Sequence, residues 1–259
     1  MRELNEFRQF SKWLADESGK IIKHYWRTGI SVENKPDLSP VTIADKKAEE
    51  FMREMIMKKY PNHGILGEEF GEHNPSAGYK WVLDPIDGTK SFICGTVTFG
   101  TLIALLKNGE PILGVINQPI LNEFLIGDNH TTELNGKQVH VRECDNLSVA
   151  VLLTTDQLNI EKYQNIKKFD ELAHKVKLYR HWGDCYGYYL VATGYADIMI
   201  DPVMSPWDLY ALIPVIRGAG GTITDYQGND PLKGNSIVAT GGAIHSEVIS
   251  LLNKDQDHD

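Results

Sequence analysis

The chain has 259 residues, of which 42% are hydrophobic and 24% are charged, and this balance predicts one large globular domain. The net charge of −9 argues against nucleic acid as a partner, because proteins that bind phosphate backbones need a basic surface. No apolar stretch is long enough to span a bilayer, and the polar start MRELNEF lacks the apolar middle of a signal peptide. We therefore expect a cytoplasmic protein with no membrane partner.

Two helices and an intervening loop are predicted at the N-terminal end. Apolar residues recur at helical spacing from Glu3 to Arg27, which indicates an amphipathic helix. The segment 28–40 is rich in turn-forming residues and predicts a mobile loop or a short hairpin with Lys35 at its tip. A second helix then begins after Thr42, and Asp45 three residues later completes a capping box. Capping alone would explain Asp45, so its role stays open at this point.

The segment His63–Phe70 predicts a short strand that ends in two acids, Glu68 and Glu69. Acids at the end of a strand belong to a loop, and catalytic groups concentrate on loops.

The central stretch of the chain is WVLDPIDGTKSF, which occupies Trp81–Phe92. Its apolar start predicts the end of a buried strand, which places Asp84 and Asp87 in a turn broken by proline and glycine. Clustered aspartates with a carbonyl between them favour magnesium or calcium over zinc. Gly88 permits a tight path, and a helix that starts at Thr89 would direct free amides at a phosphate. The alternative is an ordinary loop followed by a helix cap.

Antiparallel strands are predicted after this turn. Residues 99–127 alternate apolar runs with Asn-Gly and Gln-Pro breaks, which indicates a meander. Residues 131–144 carry a further hairpin signal, and we expect His140 to point outward from an edge strand. A ligand role for His140 is the less favoured interpretation.

The next elements return the chain to a sheet. Residues 148–155 predict a buried strand and residues 159–176 a helix. Asp184 stands where another helix starts, so it is either an N-cap or a ligand contact. A strand then ends at Asp201. Asp208 lies in the first turn of the last predicted helix of this region, where it would stabilise the helix dipole without any metal.

Several motifs together resemble a known family. GEE, DPIDGT and PWDLYA followed by GAGG occur in this order, and with VTIAD they span most of the chain from Val41 to Gly221. In this combination the chain resembles the inositol monophosphatase family of metal-dependent, often lithium-sensitive phosphatases. The resemblance implies an α+β fold, an αβαβα layered sandwich with largely antiparallel sheets, commonly as a homodimer. We expect a single phosphatase domain over residues 1–259, with a metal-binding half (1–145) and a substrate-capping half (146–259).

The resemblance also implies a set of metal ligands. Glu68, Asp84 and the carbonyl of Ile86 would hold a first Mg²⁺ ion, while Asp84, Asp87 and Asp208 would hold a second. A third, weaker ion would contact Glu68 through waters. Two metal ions are a common device for phosphate ester hydrolysis, because they neutralise the phosphoryl oxygens.

Catalytic and substrate-binding roles follow from the same resemblance. Glu68 and the Thr89 hydroxyl would orient the attacking water, and Asp45 would support it from further out. The amides of Gly88 and Thr89 would receive the phosphate. The residues expected around the substrate are Asp87, Gly88, Thr89, Gly183, Asp184, Asp201 and Asp208.

The resemblance also implies a small phosphorylated metabolite as the substrate, and several candidates remain. GDCY at Gly183 and the run from DPIDGTKSFI to FGTLIALL resemble the histidinol-phosphate phosphatases of the histidine pathway more than the inositol enzymes. Asp184 and Asp201 could pair with the ammonium and imidazole of histidinol phosphate. The segment CGTVT, residues 94–98, departs from the proline-containing form of the histidinol enzymes. Inositol phosphates, fructose bisphosphate and phosphoadenosine phosphate are the alternatives.

Two other classes of function fit the sequence less well. A non-catalytic regulator that binds a sugar phosphate predicts a broken ligand set, whereas every expected acid is present. A nucleotide-dependent phosphoryl-transfer enzyme would carry GxxxxGK[ST] or a glycine-rich dinucleotide turn, and the sequence contains neither.

Overall fold

A computed structural model of the chain describes residues 2–36 and 39–254. It begins with a long helix, α1 (Arg2–Tyr25), and a short hairpin made of β1 (Val32–Asn34) and β2 (Pro40–Thr42). Helix α2 (Ile43–Lys59) follows at once, and Thr42 and Asp45 form the predicted capping box at its start. Both predicted helices and the hairpin are therefore confirmed, while residues 37 and 38 of the Lys35 loop lie outside the described residues.

The first sheet has eight strands within the described residues, in the order β10-β9-β8-β7-β6-β5-β3-β4. Neighbouring strands are antiparallel except β3 and β5, which are parallel. The strands are β3 (Gly64–Gly67), β4 (Gly71–His73), β5 (Tyr79–Asp87), β6 (Gly100–Lys107), β7 (Glu110–Gln118), β8 (Glu123–Gly127), β9 (Thr132–Leu134) and β10 (Lys137–Gln138). A short helix, α3 (Thr89–Ile93), lies between β5 and β6. The predicted meander is confirmed.

The second sheet has five strands in the part of the chain that the structure describes, in the order β12-β11-β13-β15-β14. The central strand pairs β11·β12 and β11·β13 are parallel and the remaining pairs are antiparallel. The strands are β11 (Val151–Thr154), β12 (Leu178–Arg180), β13 (Ile198–Asp201), β14 (Thr222–Thr224) and β15 (Ile237–Thr240).

Side-chain alternation along β5 determines which helices cover each face of the first sheet. Trp81 and Leu83 pack with the apolar residues of α1 and α2, whereas Val82 between them faces a second group of helices. That second group lies between the two sheets and consists of α6 (Asp184–Ala192), α7 (Pro206–Leu209) and α8 (Leu212–Gly218). The outer face of the second sheet is covered by α4 (Gln157–Tyr163), α5 (Ile166–Lys175) and α9 (His245–Asn253). The resulting helix–sheet–helix–sheet–helix order confirms the predicted α+β sandwich.

Three sequence-based predictions differ from the structure. The helix predicted over residues 159–176 is two helices, because the Asn165 side chain accepts hydrogen bonds from the amides of Lys167 and Lys168 and so starts α5 anew. The helix predicted from Asp208 onward is likewise divided into α7 and α8. His140 is exposed as expected, but the edge strand ends at Gln138, so its placement on a strand was wrong.

No helix among the described residues is long and apolar enough to cross a membrane.

Close contact between β7 and the start of α8 fixes the middle helix layer on the first sheet. A Cβ atom added at Gly114 would lie 2.0 Å from the carbonyl oxygen of Ala211, so the two backbones touch at this point. Because α7 comes directly before α8, this contact also places Asp208 over the first sheet.

We predict that Gly114→Ala lowers the free energy of unfolding by about 2 kcal/mol or more, since the methyl group must displace packed backbone. Gly78→Ala is the matched control, because a Cβ there would meet only Asn108 Oδ1, at 3.5 Å. Urea unfolding of both variants measures the difference. Equal stability of the two variants would contradict the close approach of α8 to β7.

Candidate active site

The central turn, residues 84–89, begins inside β5, because the strand continues through Asp84 to Asp87, so the predicted end of the strand before Asp84 was wrong. The pairing of β5 with β6 shifts register between Asp84 and Asp87, and the Thr101 hydroxyl donates to the carbonyl of Pro85 at 2.9 Å. Asp84 is only 2% exposed, and its Oδ1 atom has no hydrogen-bond partner among the described residues. Because buried polar atoms are rarely left unpaired, this oxygen indicates a site for a ligand that donates or carries positive charge.

Asp208 reaches the same place from α7. Its Oδ2 atom accepts the amide hydrogen of Ser205 at 2.9 Å, so the capping box that starts α7 fixes the orientation of the carboxylate. One carboxylate oxygen from each of Asp84, Asp87 and Asp208 lies within 4.8 Å of the other two. Asp208 therefore joins Asp84 and Asp87 in one cluster although it lies far from them along the sequence.

Glu68 faces this cluster from the end of β3. Its amide donates to the carbonyl of Leu83 at 3.2 Å, which holds it next to β5. Burial is the main cause of the raised pKa of Asp84, and repulsion from the Glu68 carboxylate adds to it. Glu68 does not belong to the three acids whose oxygens lie within 4.8 Å of one another. Lys35 donates to Glu68 Oε1 at 2.7 Å and to Glu69 Oε1 at 2.8 Å, so the hairpin loop contacts the edge of the cluster.

Burial and mutual repulsion raise the pKa values of the clustered acids. Burial is the main cause at Asp84 and Asp87, whose pKa values are raised well above the usual range, and neighbouring carboxylates add to it. Burial likewise raises the pKa of Asp208 to about 6. A divalent cation would remove this penalty, and an all-oxygen donor set is the one that Mg²⁺ and Ca²⁺ prefer. The residues therefore fit a hard metal ion.

Thr89 links the cluster to the start of α2. Its hydroxyl donates to the carbonyl of Ile86 at 3.1 Å and to Asp45 Oδ1 at 3.3 Å. The other oxygen of Asp45 accepts from the Thr42 amide at 2.8 Å and the Thr42 hydroxyl at 2.6 Å. Burial raises the pKa of Asp45 to about 6. Asp45 is thus both a helix cap and a neighbour of Thr89, so the two interpretations of its sequence are compatible.

Asp184 lies opposite the central turn and does not cap its helix. Gly183 is the capping residue of α6, and Asp184 has a positive φ of 50°, so the interpretation of Asp184 as an N-cap was wrong. Its carboxylate instead accepts the Ser91 hydroxyl at 2.8 Å. It also lies against Gly88, where a Cβ atom would come within 2.7 Å of Asp184 Oδ2.

Asp201 is held at the end of β13. Its Oδ1 atom accepts the Thr155 amide at 3.2 Å and its Oδ2 atom accepts the Tyr188 hydroxyl at 2.9 Å. Burial raises its pKa to about 7 despite these hydrogen bonds. Sequence reasoning placed Asp201 at the strand end but gave no sign of Thr155 or Tyr188 as its partners, because both contacts depend on tertiary structure.

Two adjoining cavities receive these side chains. The inner cavity, of about 120 Å³, is lined by four aspartates and, among the described residues, by no lysine or arginine. The outer cavity, of about 400 Å³, contains Glu68, Gly88, Thr89, Lys90 and His181 in its wall. Both cavities share the residues Thr155, Asn159, Asp184 and Asp208. A ligand with a phosphate at the central turn can therefore extend into an acidic inner chamber.

Comparison with known proteins gives consistent matches. A model of the inositol monophosphatase family matches residues 3–257. A chloroplastic bifunctional phosphatase of Arabidopsis thaliana is 48% identical over 92% of this chain and 70% of its own length. A histidinol-phosphatase of Chlorobaculum parvum is 38% identical over 94% of this chain and 95% of its own length. The structure of an inositol monophosphatase from Zymomonas mobilis superposes with a TM-score of 0.84 at 37% identity, covering 96% of this chain and 98% of that one.

We predict that Mg²⁺ raises the midpoint of thermal unfolding more at about pH 8 than at about pH 5. The raised pKa values of Asp208 (about 6) and Asp201 (about 7) mean that the folded chain binds these protons more tightly than the unfolded chain. Protonation therefore stabilises the fold at low pH, and this stabilisation is lost as the pH rises through those values. At high pH these carboxylates are charged and repel one another, and a bound Mg²⁺ ion would reduce this repulsion.

Differential scanning fluorimetry with Mg²⁺ or a chelator measures this effect, and Asp208→Asn is the matched control. Asparagine retains an oxygen for the Ser205 amide but removes one charge, so the Mg²⁺-dependent rise should shrink. A rise of the same size at both pH values and in the variant would contradict metal binding at this cluster.

Proposed function

Since the chain belongs to the inositol monophosphatase family and is a phosphatase, we propose that it hydrolyses L-histidinol phosphate to L-histidinol and phosphate in a Mg²⁺-dependent reaction. The observation that carries this proposal is the acidic inner cavity, where Asp184 and Asp201 lie beside Asp87 and Asp208 of the cluster. A substrate with a phosphate at one end and cationic groups at the other matches that distribution of charge.

The proposed metal ligands are the residues gathered at the central turn. Glu68, Asp84 and the Ile86 carbonyl would hold one Mg²⁺, and Asp84, Asp87 and Asp208 a second, with a third weaker ion near Glu68. When bound, the ions would neutralise the phosphoryl oxygens, lower the pKa of water and stabilise the leaving alkoxide. The unpaired Oδ1 atom of the buried Asp84 supports this assignment.

The attacking water is proposed to lie between Glu68 and Thr89. The hydroxyl hydrogen of Thr89 is directed at Ile86 or Asp45, so the Thr89 oxygen retains a lone pair for a hydrogen of the water. Glu68 would take the second proton of the water as its oxygen attacks phosphorus in line with the leaving group, and the alkoxide released when the P–O bond breaks would gain a proton from solvent. Asp45 would position Thr89 rather than touch the substrate.

The phosphate is proposed to rest on the backbone of the central turn. The amides of Gly88 and Thr89 lie at the start of α3, where backbone hydrogens are free to donate to an anion. Gly88 has a φ of 84°, and a Cβ there would collide with Asp184, so only glycine permits this approach.

Asp184 and Asp201 are proposed to recognise the leaving group. Both line the inner cavity together with Asp87 and Asp208, and Asp184 also contacts Ser91 of α3. Once metal ions neutralise Asp87 and Asp208, Asp184 and Asp201 remain as acids for the ammonium and the imidazole. A neutral polyol would gain hydrogen bonds from them but no ion pair.

A second candidate substrate is inositol 1-phosphate or a related sugar phosphate. A fructose-1,6-bisphosphatase/inositol-1-monophosphatase of Aquifex aeolicus is 29% identical over 98% of this chain, and this similarity supports the second candidate. Asp201 would then accept hydrogen bonds from the ring hydroxyl groups of the substrate.

Further properties are proposed from the family resemblance alone. We propose a cytoplasmic homodimer whose activity Li⁺ inhibits. We also propose that residues 1–145 form a metal-binding half and residues 146–259 a substrate-capping half of one domain.

A panel of substrates assayed with Mg²⁺ tests the proposed function. We predict that kcat/KM for L-histidinol phosphate exceeds that for inositol 1-phosphate and fructose 1,6-bisphosphate by about tenfold or more, because a buried ion pair discriminates by more than one hydrogen bond. Comparable phosphate release from histidinol phosphate and inositol 1-phosphate would contradict the assignment of histidinol phosphate.

A variant of Asp184 tests how the leaving group is recognised. We predict that Asp184→Asn raises KM for L-histidinol phosphate much more than for p-nitrophenyl phosphate, because only the first substrate carries an ammonium group. Asparagine tolerates the positive φ at this position and retains an oxygen for Ser91, so it removes the charge without straining the backbone. Equal effects on both KM values would argue against an ion pair with the substrate.

A further inference from the structure

A chain of hydroxyl groups leads from the segment after α3 to Asp184. The Thr98 hydroxyl donates to Ser91 Oγ at 3.0 Å, and the Ser91 hydroxyl donates to Asp184 Oδ2 at 2.8 Å. Thr96 Oγ1 lies 3.1 Å from Thr98 Oγ1 and 3.2 Å from the carbonyl oxygen of Ser91, so Thr98 is itself held by a neighbouring hydroxyl group. None of these three hydroxyl groups has a role in the hydrolysis described above.

The two hydrogen bonds that link Thr98, Ser91 and Asp184 have a defined direction, whereas either threonine could donate between Thr96 and Thr98. Because Ser91 Oγ accepts the hydrogen of Thr98, the hydrogen of Ser91 is left to point at Asp184. A lone serine hydroxyl could rotate toward solvent in the outer cavity, where Ser91 is part of the wall. Thr98 therefore orients Ser91 as a donor to the carboxylate.

Asp184 is held from its backbone as well. Its amide donates to Thr155 Oγ1 at 2.8 Å, and its φ of 50° turns the side chain toward Gly88. Among the described residues, Ser91 is the side chain that donates to the carboxylate of Asp184, and it uses only Oδ2. The Oδ1 atom is thus left for a donor in the cavity that Asp184 lines.

We propose that Ser91, oriented by Thr98, is a positioning residue that sets the preference for substrates with a cationic leaving group by fixing the carboxylate of Asp184. The inference rests on the proposed function, since it needs Asp184 to pair with an ammonium group. Preorganisation matters here because an ion pair contributes less when a mobile carboxylate must first be ordered.

The segment that carries this chain of hydroxyls is the one that departs from the expected sequence pattern. Thr96 and Thr98 belong to CGTVT, residues 94–98, and Ser91 lies in α3. The preference of the site is therefore set from the first half of the chain, although Asp184 itself lies in the second half.

A double-mutant cycle tests the inference. The variants are Ser91→Ala, Thr98→Val, Ser91→Thr, Asp184→Asn and Ser91→Ala combined with Asp184→Asn, and KM and kcat are measured for L-histidinol phosphate and p-nitrophenyl phosphate. We expect Ser91→Ala to raise the KM ratio of the first substrate to the second by roughly five- to tenfold, the scale of a lost hydrogen bond to a charged group. Thr98→Val should raise the same KM ratio by a smaller factor. Ser91→Thr keeps a hydroxyl group and should leave the ratio close to the wild-type value.

The combined variant separates positioning from a general structural role. If Ser91 acts through Asp184, Ser91→Ala adds no further rise in the KM ratio once Asp184 is asparagine, because the charge that it positions is gone. Additive effects in the cycle, or an equal rise in KM for both substrates, would overturn the inference.

The same measurements distinguish the inference from the proposed function. A wild-type enzyme with no preference for L-histidinol phosphate would overturn the proposed function and the inference with it. A wild-type preference that Ser91→Ala leaves intact would overturn the role of Ser91 alone.

Discussion

Electrostatic repulsion among buried carboxylates is the constraint on which this structure depends. Asp84 is almost fully buried with one oxygen unpaired, and Asp87, Asp208 and Glu68 all direct negative charge at the same region. Folding forces these groups together because β5, β3 and the middle helix layer meet at the end of the first sheet. Such an arrangement is unfavourable without a positive charge. A divalent cation bound at this cluster would relieve the repulsion.

The surrounding structure holds this repulsive cluster in place by backbone geometry rather than by counter-charges. A capping box orients Asp208, a second one holds Asp45, and the glycine at residue 88 allows Asp184 to approach the central turn. Lys35 lies on the hairpin loop and pairs with Glu68 and Glu69 at the edge of the cluster. The strong neighbours of the acids are therefore hydrogen-bond donors of the main chain, whose positions the fold fixes.

Local patterns in the sequence predicted the parts of the site that local structure forms. The pairing of Asp84 with Asp87 and the cap made by Thr42 and Asp45 were accessible from local motifs, and the layered fold was accessible from the family resemblance. The sequence placed the end of β5 too early, because the proline and glycine after Asp84 are typical of a turn. The breaks after Gln164 and Tyr210 were missed because apolar spacing continues through them. The contacts of Asp184 were missed because a positive φ turns it away from the helix end that it would otherwise cap. Partners such as Ser91 and Tyr188 depend on segments that are distant in sequence.

The most direct test is a crystal structure of the protein with Mn²⁺ as an anomalous scatterer and inorganic phosphate. We predict one anomalous peak in contact with Asp84, Asp87 and Asp208 and a second in contact with Glu68 and the Ile86 carbonyl. We also predict phosphate bound to the amides of Gly88 and Thr89. Mn²⁺ takes the oxygen ligands that suit Mg²⁺, so it reports the same site. An empty carboxylate cluster, with ions or phosphate bound elsewhere, would contradict the central claim that these acids gather to hold cations against a phosphate ester.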